Sequence, residues 1–170
     1  MIKLQPFKET DFDRLIAEVS DARFLLQWAG PKYTYPLDAA QLADTLSHAL
    51  GEKPSFQVFK AEKAGTPETI GHIQLMDIDY HAASCILGRV LIFQKYRGNG
   101  WGRAMVREAV AYAFENLNLV EVTLGVFDFN TPAIRTYKSI GFSEFQFISG
   151  ARQFQDEKWN VIKMKKIILR

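Results

Sequence analysis

Gln94-Lys95-Tyr96-Arg97-Gly98-Asn99-Gly100-Trp101-Gly102-Arg103 separates two segments of different period. Residues 85–93 before it form an apolar, strand-like run, and residues 104–114 after it follow an amphipathic helix pattern. A strand that feeds a glycine-rich turn opening a helix is built to hold phosphate. The glycines let the backbone come close to a ligand, because no Cβ stands in the way. The first N–H groups of the helix have no internal partner, and the helix dipole adds partial positive charge there. Arg97 and Arg103 add full charges on either side of the turn. Two other phosphate loops fit poorly. A Walker loop ends in Gly-Lys-Ser/Thr, whereas Gly102 is followed by Arg103 and Ala104. A dinucleotide fingerprint reads G-x-G-x-x-G, and here the third glycine comes one residue early.

The whole chain sets the frame for this loop. At 170 residues, 48% hydrophobic and 13% aromatic, it is expected to fold as a single domain over residues 1–170 with a substantial core. The 21 basic and 19 acidic residues leave a net charge of +2, which gives no reason to expect nucleic acid or an anionic membrane as a partner. The single cysteine, Cys85, lies in a strand-like run and reads as a small core residue. His48, His72 and His81 show no metal-ligand spacing, so no metal is expected. Neither a signal pattern nor a membrane-length apolar run is present, and the expected location is the cytoplasm.

Taken in order, residues 2–5 read as a short strand. Thr10 is the expected N-cap of a first helix, with Phe12, Leu15, Ile16 and Val19 on one face. Asp21 and Asp38 are expected to cap two more helices, the second ending at Gly51. Trp28, Tyr33 and Tyr35 could pack in the core or wall a substrate site. Residues 55–61, 70–78 and 84–93 read as three successive strands with short links, hence antiparallel. The strand expected at 119–127 follows strand and helix, so it should lie parallel to the strand before the loop. Asn130-Thr131-Pro132 then reads as an N-cap followed by proline in the first turn, with Gly141 ending that helix. Residues 142–149 and 158–168 are the closing strands, joined by a link over 150–157; the last strand could form a sheet edge that supports a dimer.

Two sites thus converge at the carboxyl ends of a parallel pair: the glycine loop, and Asn130 with Tyr137. If the pair splays, an extended ligand could place its phosphates at the loop. The backbone of residues 90–92 could then pair with its amides as an added strand would.

Leu91 to Gly102, strand and loop together, resembles motif A of the GNAT acetyltransferases, whose pyrophosphate loop reads R/Q-x-x-G-x-G/A. Val126-Phe127-Asp128-Phe129-Asn130-Thr131-Pro132-Ala133-Ile134-Arg135-Thr136-Tyr137-Lys138-Ser139-Ile140-Gly141-Phe142 resembles the family's motif B, V-x-x-x-N-x-x-A-I-x-x-Y-x-x-x-G-F. The order of elements is also similar, over nearly the whole chain. The resemblance implies an α/β (α+β) fold: a mixed, mostly antiparallel central sheet flanked by helices, with a parallel pair splayed at the cofactor site. It implies acetyl-CoA as co-substrate and a primary amine, of a small molecule or a peptide N-terminus, as acceptor, in a monomer or homodimer. Arg97, Gly98, Asn99, Gly100, Trp101, Gly102 and Arg103 would bind the pyrophosphate. Val90, Leu91 and Ile92 would pair with pantetheine, Asn130 would contact the cofactor arm, and Tyr137 would be the general acid toward the CoA thiolate.

The sequence departs from the family at Gln94, where many relatives have proline, and at Trp101, where an aliphatic is usual. Gly125 stands where some acetylators of protein N-termini carry glutamate. No general base stands out among Asp77, Asp79, His72, His81, Asp128 and Glu121. The alternative is a non-catalytic acyl-CoA-binding or regulatory module on the same scaffold.

Overall fold

A computed structural model describes residues 1–169. The strands are β1 (Ile2–Pro6), β2 (Gln57–Lys63), β3 (Thr69–Asp79), β4 (Ser84–Ile92), β5 (Glu121–Phe127), β6 (Ser143–Phe154) and β7 (Glu157–Ile167). They form one sheet in the order β1-β2-β3-β4-β5-β7-β6. The helices are α1 (Phe12–Ile16), α2 (Ala22–Ala29), α3 (Ala39–Ser47), α4 (Trp101–Glu115) and α5 (Thr131–Ile140), with short 3-10 turns at Glu9–Asp11 and Gln94–Tyr96. The mixed, mostly antiparallel sheet expected from the sequence is the sheet observed.

Local chemistry accounts for most element boundaries. Asp21 caps α2 by accepting from the Phe24 N–H at 2.8 Å, and Asp38 caps α3 by accepting from the Gln41 N–H at 2.9 Å. The first helical segment starts earlier than Thr10. There Lys8 is the N-cap, and the Asp11 carboxylate accepts from its N–H at 2.9 Å. The glycine loop flows directly into α4, which begins at Trp101 rather than at residue 104.

Two apolar clusters fill the faces of the sheet. One packs α4, through Met105, Val106, Ala109, Val110 and Ala113, on the central strands. The other packs α1–α3 on β2 and β4 through Phe12, Leu15, Leu25, Leu42 and Phe93. Cys85 is buried in the first cluster, and burial pushes its thiol up to about 12, which makes it a core residue. The closing strand does not form an edge. β7 pairs with β5 on one side and β6 on the other, so β6 is the edge, and the link expected at 150–157 is mostly strand.

Two irregularities position the site. β4 and β5 pair in parallel only at Ser84↔Glu121, Cys85↔Val122 and Ile86↔Thr123. β5 keeps full register with β7, from Glu121↔Ile167 to Phe127↔Val161, and β4 follows β3 instead. Beyond Ile86 the pair therefore splays. The second irregularity is a bulge. Between His72↔Leu91 and Gln74↔Gly88, β4 has one residue more than β3, and Arg89 adopts φ 49° there. The close approach of β3 to β4 requires glycine at 71, where a Cβ would lie 2.6 Å from the Leu91 carbonyl oxygen.

Candidate active site

The splay opens a cleft of about 650 Å³. Leu87 to Ile92 of β4 form one wall and Gly125 to Phe127 of β5 the other. Arg97 and Gly102 lie at one end, and Asn130, Thr136 and Tyr137 of α5 line the β5 side. From the α2 segment come Phe24, Trp28 and Lys32. Of the residues expected from the sequence, Val90, Leu91, Ile92, Arg97, Gly102, Asn130 and Tyr137 all line this one cleft. Gly98, Asn99, Gly100, Trp101 and Arg103 continue the loop and the first turn of α4. The Leu91 side chain itself is buried in the α1–α3 cluster, so only its backbone can face a ligand.

The loop is a set of free donors. Among the described residues, the backbone N–H groups from Gly98 to Arg103 bond no carbonyl or side chain, and the first α4 bond outside the helix is Ala104 N–H to the Gly100 oxygen at 3.3 Å. Gly98 and Gly100 adopt φ 79° and 75°, and a Cβ at either would meet nothing within 4 Å. Both left-handed glycines stand at or just before the positive end of a 15-residue helix. Arg97 is anchored through its Nε to the Ile92 carbonyl oxygen at 2.9 Å, and Asn99 Nδ2 donates to the Arg97 oxygen at 3.1 Å. The Gln94 N–H donates to the Glu18 carboxylate at 2.8 Å, which ties the loop to the segment just after α1. Here Gln94 supplies an N–H that a proline could not. Such a cradle suits a pyrophosphate, and the adjoining cleft suits an extended arm.

On the β5 side, Asn130 caps α5: its Oδ1 accepts from the Ala133 N–H at 3.4 Å, which leaves its amide nitrogen for a ligand. Tyr137 is 8% exposed, packs edge-on against Phe142 at 5.9 Å, and its hydroxyl has no hydrogen-bond partner among the described residues. Burial pushes its phenol up to about 12, so it is protonated across the neutral range. A Cβ at Gly125 would lie 3.3 Å from Val161 Cγ1 of β7, a tight contact that glycine avoids.

Of the candidate bases, only Asp77 lines the cleft. Asp79 accepts from the His81 and Ala82 N–H groups at 2.9 and 2.8 Å, which holds a turn. Asp128 accepts from Asn160 at 2.9 Å, and Glu121 begins β5 at the end away from the splay. His72 is 0% exposed, and burial, with the Arg89 charge, drives its imidazole down to about 3. Tyr33 and Tyr35 do not wall the cleft. Tyr33 is core, bonded to Thr45 at 2.6 Å, and Tyr35 is exposed.

Sequence reasoning missed Arg89. It is 6% exposed, lines the cleft, and stacks over the Tyr33 ring at 4.1 Å. Its Nη1 donates to Tyr33 Oη and Gln74 Oε1, each at 2.9 Å. Because that oxygen of Gln74 accepts from Arg89, the Gln74 amide nitrogen donates to His72 Nε2 at 2.8 Å, which places the imidazole proton on Nδ1. The available signal was an arginine inside an otherwise apolar run.

A cleft between splayed parallel strands, with unpartnered N–H donors on the loop beside it, is an arrangement that suits an acyl-CoA co-substrate. The chain belongs to the acetyltransferase (GNAT) domain family, whose model matches residues 2–143. It is therefore an acyltransferase with acetyl-CoA as co-substrate. Among similar proteins, spermidine N(1)-acetyltransferase of Escherichia coli K12 is 26% identical over 142 residues, which covers 84% of this chain and 73% of the relative. The Vibrio cholerae protein of the same name is 32% identical over 108 residues, covering 59% and 60%. The fold matches the crystal structure of spermidine N-acetyltransferase from Vibrio cholerae in complex with CoA and spermine. The TM-score is 0.84 at 20% identity, over 98% of this chain and 95% of that one.

Proposed function

We propose that residues 1–170 form one N-acetyltransferase domain that moves the acetyl group of acetyl-CoA directly to a primary amine. The observation that carries this reading is the cleft itself. Arg97 and Gly102 of the loop line the same slot between β4 and β5 as Tyr137, and the N–H groups from Gly98 to Arg103 beside it have no partner among the described residues.

In this reading the loop residues from Arg97 to Arg103 hold the pyrophosphate. The edge of β4 that faces β5 has no strand partner beyond Ile86, and at Val90 to Ile92 it pairs with the pantetheine amides. A β4 N–H there also polarises the thioester carbonyl. The Asn130 amide nitrogen holds the cofactor arm beside the slot. Asp77 takes the proton that the attacking amine must lose, directly or through one water. The amine lone pair forms the C–N bond, the C–S bond breaks, and the electron pair leaves on sulfur. Tyr137 meets that sulfur with its O–H. An ordinary thiol titrates near 8.5, so a phenol near 12 first stabilises the thiolate by donating a hydrogen bond. The proton released from the amine restores the thiol by the end of the turnover.

The relatives named for spermidine acetylation make polyamines one acceptor class to test, beside small amines and peptide N-termini. The test is thiol release from acetyl-CoA across such a panel. Release that depends on the acceptor supports the transferase. Saturable acetyl-CoA binding without release on any acceptor would favour a non-catalytic acyl-CoA module instead.

A further inference from the structure

Three buried side-chain nitrogens lack partners among the described residues: Trp28 Nε1, His72 Nδ1 and Arg89 Nε. All three are donors: the indole and guanidinium nitrogens carry hydrogens by nature, and the His72 proton lies on Nδ1 as argued above. Trp28 and Arg89 line the cleft, and the His72 ring lies 5.9 Å from that of Trp28. All three bonds that Arg89 makes come from Nη1, to Tyr33, Gln74 and, at 3.4 Å, Thr45. Its Nε and Nη2, which form the other edge of the guanidinium, make none. That edge is the one whose parallel N–H bonds match a carboxylate. No carboxylate among the described residues lies within ion-pair distance of Arg89, although buried cations are ordinarily paired. Arg89 is also held in the left-handed region by the bulge, a backbone state that costs an ordinary residue energy.

The charged groups around the cleft have one dominant sign. Among the described residues, Lys32, Arg89, Arg97, Arg152 and Lys163 line it, against the one carboxylate of Asp77. The phosphates of acetyl-CoA account for Arg97. They do not account for a buried arginine in the middle of the β4 wall. Bonds to Tyr33 and Gln74 explain how Nη1 ties β4 to β3 and to the segment before α3, but leave the opposite edge unused.

Resting on the transferase reading above, we infer that the acceptor is a small amino-carboxylate, with its carboxylate held by the unpaired edge of Arg89 beside Trp28 and its amine toward Asp77. A polyamine fits this wall poorly. Its ammonium groups bring only donors to a site whose orphaned groups are donors, and they add positive charge to a cationic cleft. A carboxylate supplies the missing acceptor oxygens and neutralises Arg89. Asp77 acts on Arg89 electrostatically from outside ion-pair range, so the two do not neutralise each other as a direct pair.

The test is thiol release from acetyl-CoA with each of the standard L-amino acids, its carboxamide, and spermidine. At least one free amino acid should exceed its own carboxamide in kcat/KM by on the order of 10²-fold, because loss of the charge leaves buried donors unsatisfied. Spermidine should be poorer than that amino acid. In Arg89→Gln the acid-to-amide ratio should fall toward one, mainly through KM for the acid. If Arg89→Gln does not fold, the acid and amide comparison in the unaltered protein decides. Spermidine or an amide matching or exceeding every free amino acid overturns the inference while leaving the transferase intact, as does an unchanged ratio in folded Arg89→Gln. Absence of thiol release with every amine removes the transferase reading, and the inference falls with it.

Discussion

Tyr137→Phe isolates the chemistry from the packing. The ring is 8% exposed and stacks edge-on against Phe142 at 5.9 Å, contacts that phenylalanine keeps. The hydroxyl bonds no group among the described residues, so its removal orphans nothing there and leaves a gap of one oxygen atom. Stability should therefore change by no more than about 0.5 kcal/mol. The rate should not survive so well. A positioned hydrogen-bond donor to developing charge contributes roughly 10²- to 10³-fold, about 2.7 to 4 kcal/mol of barrier. Acetyl-CoA affinity, set at the loop and along β4, should stay within about twofold. The assay is single-turnover thiol release at saturating acceptor, beside a calorimetric titration of acetyl-CoA. The pH profile adds a second readout. With the phenol pushed up to about 12, unaltered protein should show no loss of rate from Tyr137 ionisation up to about pH 10. A folded Tyr137→Phe protein with a rate within about twofold of normal would refute the reasoning and return Tyr137 to the core.

Other outcomes follow from the same geometry. Gly100→Asp places a negative side chain on the left-handed turn at φ 75° and should weaken acetyl-CoA binding by on the order of 10²-fold; Gly100→Asn, which tolerates that backbone, should lose less. Asp77→Asn should lower kcat by roughly 10²-fold, with acetyl-CoA affinity unchanged. His72 is held neutral down to about 3, whereas in the unfolded chain it binds a proton near 6.5. Its folded value is depressed, so its stabilisation is present above pH 6.5 and is lost as pH falls from 6.5 to about 3. The slope should approach about 1.4 kcal/mol per pH unit, read from urea midpoints, and His72→Leu should lack that contribution. A flat urea midpoint between pH 6 and 4 would show that the imidazole is not held neutral in the folded protein.

The site was legible where its chemistry is local. Gly98, Gly100 and Gly102 follow one strand and open one helix, and Asn130 with Pro132 opens another, so the parts of the cleft could be named from neighbours in the chain. Asp21 and Asp38 were legible as caps for the same reason. What depended on register or tertiary environment was not. The extra residue in β4 cannot be counted without its partner strand, and it is this residue that puts Arg89 in the left-handed region. Whether His72 faces solvent or the core depends equally on pairing, and burial rather than sequence decides its protonation. The apolar run at residues 159–168 could not reveal that β6 would cover its outer side.

The most direct test of the account is a crystal structure of the protein soaked with CoA. The account predicts the pyrophosphate against the N–H groups of residues 98–103, the pantetheine arm along Val90 to Ile92, and the sulfur within hydrogen-bond reach of Tyr137 Oη. CoA bound elsewhere, or with its sulfur remote from Tyr137 and its phosphates off the loop, would contradict it.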